Sequence, residues 1–435
     1  MKGNWKRRIF TFVAGGMLFA MMACGKKDSG INLMENEGSE KPVVNFFGPL
    51  GRSDPQSGNV SVSAQEQTVK MAEEQLGSKM EYRTYMAEDY TEKTYDDVAL
   101  ERIHNNMDDL YLLNPDTIQI LGREGLLEDL SGLESAANLR EVVKTANTVD
   151  GKLVAIPQEV VAYGLFVNQD LFEQYQLDLP ETPEDFLECC RVFQENGIET
   201  PVGANRWWLE CFVLALSYGE LYNGGDTQAK VQALNSGEIR YSDILRPGFT
   251  FLKEMIDLGY IDAETALTYE AIDGEGPDFL AQKTPMVMAY WAAANSDALY
   301  GNPDFNMKVI GFPSSQGQMP VISISGYGIN VNGERRKEAM EMLDIMLSDE
   351  ALKRYTEINR VISPSKNVDV DCVDALKPLN QRINEGIYVL GSNANMKVEQ
   401  WGNLCLIVRK LMDGASVDAC LEEMDQLQEE SLAQP

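Results

Sequence analysis

The stretch that decides the fold is Asp150-Gly151-Lys152-Leu153-Val154-Ala155-Ile156-Pro157, which leads into Tyr163-Gly164-Leu165-Phe166-Val167-Asn168-Gln169-Asp170-Leu171-Phe172. Within it, the apolar run at 165–168 predicts a short strand. Further short strands, alternating with amphipathic helices, are predicted by apolar runs at 43–47, 117–121, 286–290, 309–312 and 328–331. Strands in alternation with helices indicate an α/β architecture.

One predicted helix is marked at both ends. Thr182, Pro183 and Asp185 form a capping box with proline at the first helical position, and Asn196-Gly197 ends the apolar stripe. The spacing of apolar residues predicts four more helices, at 63–76, 335–355 and 401–413 and around 421–427. No internal repeat or low-complexity block interrupts this pattern.

Other motifs follow the opening stretch in a fixed order. They are Leu179-Pro180-Glu181-Thr182-Pro183-Glu184-Asp185-Phe186, Gly197-Ile198-Glu199-Thr200-Pro201-Val202-Gly203, Asp278-Phe279-Leu280-Ala281-Gln282-Lys283-Thr284-Pro285-Met286 with Trp291, Gly326-Tyr327-Gly328-Ile329-Asn330-Val331-Asn332, and Trp401 thirteen residues before Gly414. Together these segments resemble the extracellular sugar-binding proteins of ABC importers, the group that includes maltose-binding protein. The resemblance spans nearly all of the chain beyond its N-terminal segment.

This resemblance implies the fold, the activity and the partners. The fold would be α/β, a two-lobe periplasmic-binding-protein fold of type II with a hinge between the lobes. Lobe 1 would comprise 42–157 and 319–358, and lobe 2 would comprise 158–318 and 359–435. The protein would bind a small polar solute, a mono- or oligosaccharide, in the cleft between the lobes and deliver it to the permease of an ABC transporter. It would need no cofactor and would not be an enzyme.

The sequence departs from the family pattern at several positions. Pro183 stands where the family usually has Trp, and Gln282 stands where it usually has Gly. The loop at 48–58 matches poorly, and ligand identity is partly read there. The resemblance therefore implies the class of ligand but not which ligand it is.

The N-terminus indicates export. Lys2, Lys6, Arg7 and Arg8 precede the uncharged apolar run 9–23, which has the length of a signal-peptide core rather than of a membrane span. The segment ends in Met21-Met22-Ala23-Cys24-Gly25, which resembles the bacterial lipobox. We therefore expect a signal peptide at 1–23, a lipidated Cys24 and a flexible polar tether over 24–41. Because one acyl chain binds membranes only marginally, stable anchoring implies more than one. An ordinary secretory signal or a membrane helix is the alternative.

The composition excludes several classes of function. The net charge of −31 repels phosphate backbones, which disfavours nucleic acid as a partner. The single histidine, His104, excludes metal sites with several histidines. The cysteines show no CxxC spacing, and most fall in apolar helical patterns, so a disulfide framework is not expected. About 395 folded residues favour two lobes over one core. Nothing in the sequence indicates oligomerisation, so a monomer is expected.

A sugar site needs aromatic faces for the apolar face of the ring and polar side chains for its hydroxyl groups. Apart from Trp5, the tryptophans fall in polar-aromatic segments that the resemblance places at the cleft, and Trp208 is expected to pack in the apolar run that follows it. Phe47, Arg52 and Asp54 follow the first strand at its carboxyl end, where open sheets bind ligands. The predicted ligand-binding residues are Trp207, Trp291, Trp401, Tyr163, Tyr327, Arg206, Asn205, Phe47, Asp54, Asp116 and Arg360, with no catalytic or metal-ligating residue.

Other interpretations remain open at this point. The ligand of an importer could instead be a peptide, a polyamine or another non-sugar solute. A secreted glycoside hydrolase would need two carboxyl groups about 5–10 Å apart, which a sequence this rich in Asp and Glu cannot exclude. A structural or adhesive surface lipoprotein is a third class.

Overall fold

The computed structural model describes residues 41–48, 60–85, 93–269, 274–290, 294, 303–368 and 374–433 of the 435-residue chain. These residues form two lobes, each built around its own sheet. The chain crosses between the lobes in three places: between β5 (Lys152–Leu153) and β6 (Val161–Asn168), between β10 (Val321–Ser323) and β11 (Gly326–Ile329), and after α14 (Asp349–Asn359).

The first lobe contains a four-stranded sheet with strand order β11-β3-β1-β2. Strand β1 pairs in parallel with both of its neighbours, and β11 joins the edge antiparallel to β3. Helix α1 packs against α13 and α14 on one side of the sheet. The elements of this lobe not yet given are β1 (Val43–Gly48), α1 (Val60–Leu76), β2 (Lys79–Thr84), α2 (Tyr95–His104), β3 (Leu110–Leu113), α3 (Pro115–Arg123), α4 (Glu141–Asn147), β4 (Thr148–Val149) and α13 (Arg336–Met346).

The second lobe contains a sheet of order β12-β10-β6-β8-β7, with β9 also paired to β6. Every residue of β6 is buried, as expected for a central strand covered on both faces. Its other elements are α5 (Gln169–Gln174), α6 (Pro183–Glu195), β7 (Val202–Gly203), α7 (Glu210–Ser217), α8 (Gly219–Asn223), α9 (Thr227–Ser236), α10 (Tyr241–Asp257), α11 (Ala263–Thr268), α12 (Gly276–Leu280), β8 (Met286–Tyr290), β9 (Met307–Ile310), α15 (Lys377–Asn384), β12 (Val389–Leu390), α16 (Trp401–Met412) and α17 (Val417–Leu432).

Most predicted elements are confirmed. Strands lie at or overlap the predicted runs 43–47, 165–168, 286–290, 309–312 and 328–331. The capping box of α6 is formed: Thr182 Oγ1 accepts from the backbone N–H of Asp185 at 3.2 Å, and Asp185 Oδ2 accepts from the N–H of Thr182 at 3.1 Å. This reciprocal pair satisfies two N–H groups that have no partner inside the helix.

Two predicted elements are wrong. Residues 117–121 form part of helix α3, not a strand, because Pro115 occupies the first turn and Ile118 and Leu121 bury one helical face. The predicted single helix at 335–355 is two helices. The break falls at Ser348, whose hydroxyl accepts from the N–H of Ala351 at 3.3 Å and caps α14.

Two predicted lobe boundaries are also corrected. The prediction starts the return to lobe 1 at residue 319, but β10 pairs with β6 in the sheet of the second lobe. The crossing therefore lies between Ser323 and Gly326. Beyond α14, the N–H of Arg140 still bonds to the carbonyl of Pro364 at 2.8 Å, so the last crossing lies after the predicted residue 358.

Candidate functional site

The two lobes meet at the N-terminal ends of α3 and α16. α3 begins directly after β3, at the carboxyl edge of the first sheet, and α16 belongs to the second lobe. Asp116 Oδ2 in the first turn of α3 accepts a hydrogen bond from the backbone N–H of Gly402 at 3.1 Å. Ligands of open α/β sheets bind at the carboxyl edge of the strands. The side chains around this contact therefore form the candidate site.

On the second-lobe side, four rings form what we call the aromatic wall: Tyr163, Trp208, Tyr290 and Trp401. Tyr163 of β6 and Tyr290 of β8 are cross-strand partners. The Tyr163 ring centroid lies 4.9 Å from that of Trp401 and 5.7 Å from that of Trp208. Trp208 meets Tyr290 edge-on at 5.6 Å. Tilted and edge-on packing at these distances is favourable, so the four rings support one another.

Trp208 has a strained backbone for its residue type. Its φ is +67°, in the left-handed region, which is rare for a bulky side chain. The residue is 5% exposed, and its indole Nε1 is buried with no hydrogen-bond acceptor among the described residues. Such a conformation costs about 1–3 kcal/mol and is concentrated at functional sites. Trp208 is thus buried, as its predicted packing role requires, while the strained backbone and the buried donor make it a candidate ligand-binding residue as well.

Trp401 is fixed from two sides. Tyr163 covers it on one side, and Gly391, directly after β12, lies against its six-membered ring. A Cβ atom at Gly391 would overlap that ring. Gln400, the residue before α16, is 1% exposed and donates to Tyr241 Oη at 3.0 Å and to the carbonyl of Val398 at 2.9 Å. The predicted polar start of this helix is therefore a buried anchor for the Trp401 ring.

The loop before α7 is held by Asn205. Its Nδ2 donates to both carboxylate oxygens of Glu275 at 2.9 Å, and its Oδ1 accepts from the N–H of Trp207 at 2.7 Å. The guanidinium of Arg409 lies 3.9 Å from the Trp207 ring centroid, and that of Arg206 lies 5.3 Å from it. Asn205 is 1% exposed and engaged in this loop, while Trp207 and Arg206 are half-buried.

On the first-lobe side, four polar side chains form what we call the polar wall: Asp96, Asn114, Asp116 and Thr117. The Asp96 carboxylate accepts from Thr117 Oγ1 at 2.6 Å and from Asn114 Nδ2 at 3.1 Å. Asp116 Oδ1 is buried and has no hydrogen-bond partner in the described part of the chain. The polar wall therefore retains a buried acceptor beside the contact with α16.

Burial controls the acidity of this wall. It raises the pKa of Asp96 to about 6, although the hydrogen bonds from Thr117 and Asn114 act in the opposite direction. Burial, and next the negative charge of Glu399, raise the pKa of Asp116 to about 7. Both carboxyl groups thus hold their protons at far higher pH than exposed aspartates do.

Tyr327 lies at the hinge. Ile156 and Tyr327 form an antiparallel bridge, and a second bridge joins Val160 to Ile362. The Tyr327 hydroxyl donates to Gln158 Oε1 at 2.8 Å and accepts from Gln65 Nε2 at 2.7 Å. With 3% of the residue exposed, its hydroxyl is committed to this network.

Phe47 and Arg360 lie away from the aromatic wall. Phe47 is 1% exposed and stacks on Tyr95 at 5.5 Å with nearly parallel rings, beneath the polar wall. Arg360 is exposed at the end of α14, with a φ of +54°. Three other predicted residues, Cys24, Asp54 and Trp291, lie outside the described residues, although Trp291 directly follows Tyr290 of the aromatic wall.

The structure thus brings Tyr163, Trp401 and Asp116 close together, and their role in ligand binding stays a prediction. It adds Trp208, Tyr290 and the buried Asp96. The sequence contained signals for two of these: Tyr290 precedes Trp291, and Trp208 follows Trp207. In the described part of the chain, no group of three or more His, Cys, Asp or Glu side chains is placed to hold a metal ion. Nor does any described helix have the length and apolarity to cross a membrane.

Comparison with known proteins gives a family match. The model of the family described as bacterial extracellular solute-binding protein matches residues 92–353. A search among curated proteins finds no match.

Solved structures match over most of the chain. The unliganded form of RafE from Streptococcus pneumoniae superposes with a TM-score of 0.70 at 14% identity, covering 92% of this chain and 100% of RafE. A chitin oligosaccharide binding protein gives a TM-score of 0.70 at 16% identity, with coverage of 90% and 99%. A structure of RafE in complex with raffinose gives 0.67 at 16% identity, with coverage of 90% and 100%. These similarities show that the chain shares their fold.

Proposed function

The chain belongs to the bacterial extracellular solute-binding proteins, and from this premise we propose that it binds a mono- or oligosaccharide between its lobes and delivers it to an ABC permease. The observation that carries the sugar assignment is the aromatic wall of Tyr163, Trp208, Tyr290 and Trp401. Sugar rings have apolar C–H faces that pack on aromatic side chains.

The polar wall supplies the other half of such a site. Sugar hydroxyls need acceptors and donors, and the buried Asp116 Oδ1 and Trp208 Nε1 are one of each. A ligand that reached both groups would satisfy polar atoms whose burial without partners is costly. Because the two atoms belong to different lobes, the ligand would stabilise the state in which the lobes are close, by its differential affinity for that state.

The structural relatives support a carbohydrate. One is an oligosaccharide-binding protein by its description, and another was determined in complex with raffinose. We therefore propose an oligosaccharide within reach of Trp401 and Trp208. Trp291 stays part of this proposal because it follows Tyr290 in sequence, and Trp207 and Arg206 would form the rim.

Isothermal titration calorimetry with a panel of mono- and oligosaccharides tests this function. We expect at least one sugar to bind with a dissociation constant near the micromolar range, which corresponds to about −8 kcal/mol. Binding of a polyamine or a peptide, with no heat from any sugar, would replace the carbohydrate assignment by a different importer ligand.

We also propose that the protein is held at the outer face of the cell membrane as a monomer, through acyl chains on Cys24. The support is the order of features in the first 25 residues: cationic residues, then an apolar run, then small residues around Cys24. Metabolic labelling with a palmitate analogue would label the wild type and not the Cys24→Ala variant. The variant would remain membrane-associated, rather than appear in the medium, if the segment were a membrane helix instead of a lipoprotein signal.

The protein acts in this proposal as a transport component rather than a catalyst. A secreted glycoside hydrolase would release reducing ends from an oligosaccharide that binds. We expect the bound sugar to be recovered intact after prolonged incubation, as measured by chromatography of the ligand.

A further inference from the structure

Helix α3 of the first lobe is hydrogen-bonded along its length to the segment of the second lobe that leads into α16. Gln119 Nε2 donates to the carbonyl of Val398 at 3.1 Å and also to that of Met396. Arg123 Nη1 donates to the carbonyl of Met396 at 3.0 Å and to that of Lys397 at 2.6 Å. These contacts place one face of α3 directly against residues 396–398.

The contact at the N-terminal end of α3 differs from the others. There the first lobe supplies an acceptor, Asp116, and the second lobe supplies the N–H of Gly402. The first N–H groups of an α-helix have no carbonyl partner within the helix. The N–H of Gly402 therefore depends for its hydrogen bond on a side chain from the opposite lobe. Its neighbour is Trp401, the first residue of α16.

We propose that Asp116 is a positioning residue: its carboxyl group docks the first turn of α16, and with it the Trp401 ring, on the first lobe, and loss of its proton loosens this contact. The consequence for ligand binding depends on the proposed function, but the interlobe contact itself does not.

Burial of the carboxyl group gives the direction of the pH effect, because it outweighs the backbone groups of Gly402 and Trp401, which lower the pKa of Asp116. Glu399, just before α16, and Asp96 of α2 add negative potential, while Arg123 at the far end of α3 adds positive potential. Burial raises the pKa of Asp116 to about 7 in the docked arrangement. In an undocked arrangement the carboxyl group is solvated and its pKa falls toward 3.8. The docked form therefore binds the proton more tightly, and rising pH favours undocking.

Hydrogen exchange at the Trp401 and Gly402 amides measures the contact directly in the ligand-free protein. Corrected for the pH dependence of intrinsic exchange, protection in the wild type should fall at least about tenfold between about pH 5 and about pH 8. In Asp116→Asn the amide oxygen still accepts but carries no charge, so protection should stay high at both pH values. In Asp116→Ala it should be low at both.

The matched control is Asp243→Asn, which removes an exposed carboxylate from the first turn of α10. It should behave as the wild type. Burial also raises the pKa of Glu159 and of Glu210 to about 7, and both residues are retained in every variant, so their titration is common to all of them. Equal pH dependence in the wild type and Asp116→Asn, or full protection in Asp116→Ala, would overturn the proposal. No sugar is present in this experiment, so neither result bears on the proposed function. Calorimetry tests that function separately.

Discussion

The two sides of the interlobe contact have opposite chemistry. The polar wall of the first lobe consists of carboxyl, amide and hydroxyl groups that bond to one another and to α16. The aromatic wall of the second lobe consists of four rings in mutual contact. A sugar has apolar ring faces and a polar rim, so neither wall alone matches it. In the proposed function, recognition would therefore require both lobes, which would couple ligand binding to their relative position.

Removing the Trp401 ring from the aromatic wall should have the largest effect on sugar affinity. Trp401→Ala leaves a cavity between Tyr163 and Gly391, and a buried Trp→Ala change costs about 3–5 kcal/mol of unfolding free energy. Sugar affinity should fall at least about 30-fold, the effect of losing about 2 kcal/mol at a central aromatic contact. Urea denaturation and calorimetry measure the two effects. Unchanged affinity in a folded variant would remove Trp401 from the site.

The polar wall should make stability depend on pH. The Asp96 pKa of about 6 in the folded protein lies above its ordinary value of 3.8, so the stability that Asp96 contributes is present below about pH 4 and lost as the pH rises through about 6. The two-unit difference corresponds to about 2–3 kcal/mol.

Asp96→Asn tests this effect. Its side-chain oxygen can still accept from Thr117, but the group no longer titrates. The variant should therefore lose less stability than the wild type between about pH 4 and about pH 7, measured by urea denaturation. Asp116, Glu159 and Glu210, whose pKa values burial raises to about 7, are the same in both proteins, so the difference reports Asp96. Identical pH profiles would show that Asp96 keeps an ordinary pKa.

A larger side chain at Gly391, against the Trp401 ring, should lower the unfolding free energy by an intermediate amount. In Gly391→Ala the new methyl group overlaps the Trp401 ring, and overpacking of this kind costs about 1–3 kcal/mol. The matched control is Gly132→Ala, because a Cβ atom there has no neighbour within 4 Å. The control should change the unfolding free energy by less than about 0.5 kcal/mol. Equal stability of the two variants would show that the ring can shift freely.

The smallest loss of sugar affinity is expected for Trp207, at the rim of the proposed site. Trp207 packs on the Arg409 guanidinium outside the aromatic wall, and a cation–π contact at a half-exposed position contributes about 0.5–1 kcal/mol. Trp207→Ala should therefore lower sugar affinity by no more than about fivefold, measured by the same calorimetry. A loss as large as that of Trp401→Ala would place Trp207 in the centre of the site and Trp208 behind it.

The fold was largely predictable because its signals are local. The capping residues of α6 and the apolar runs of the strands indicate structure over a few positions each. The order of the motifs along the chain then indicated a fold of two lobes. The error at 117–121 shows the limit: a short apolar run fits a buried strand or a helix face, and Pro115 decided in favour of the helix. The predicted helix at 335–355 is split because Ser348 caps α14, although the apolar stripe continues across this position.

The site was less predictable because it depends on contacts between distant residues. Nothing local to Asp116 indicates that its partner is Gly402, 286 residues away, in the other lobe. Nor does the sequence of Trp207-Trp208 say which ring joins Tyr163, since this follows from the left-handed backbone at Trp208. Nothing in the sequence around Gly391 indicates that the Trp401 ring lies against it.

Tryptophan fluorescence titration of the wild type and Trp401→Ala with mono- and oligosaccharides tests directly whether a sugar binds at the aromatic wall. We expect a saturable change for at least one sugar in the wild type, because a ligand bound against the aromatic wall changes the surroundings of its indole rings. The same sugar should produce little or no change in Trp401→Ala. A flat response of the wild type to every sugar, with a saturable response to a polyamine or a peptide, would contradict it.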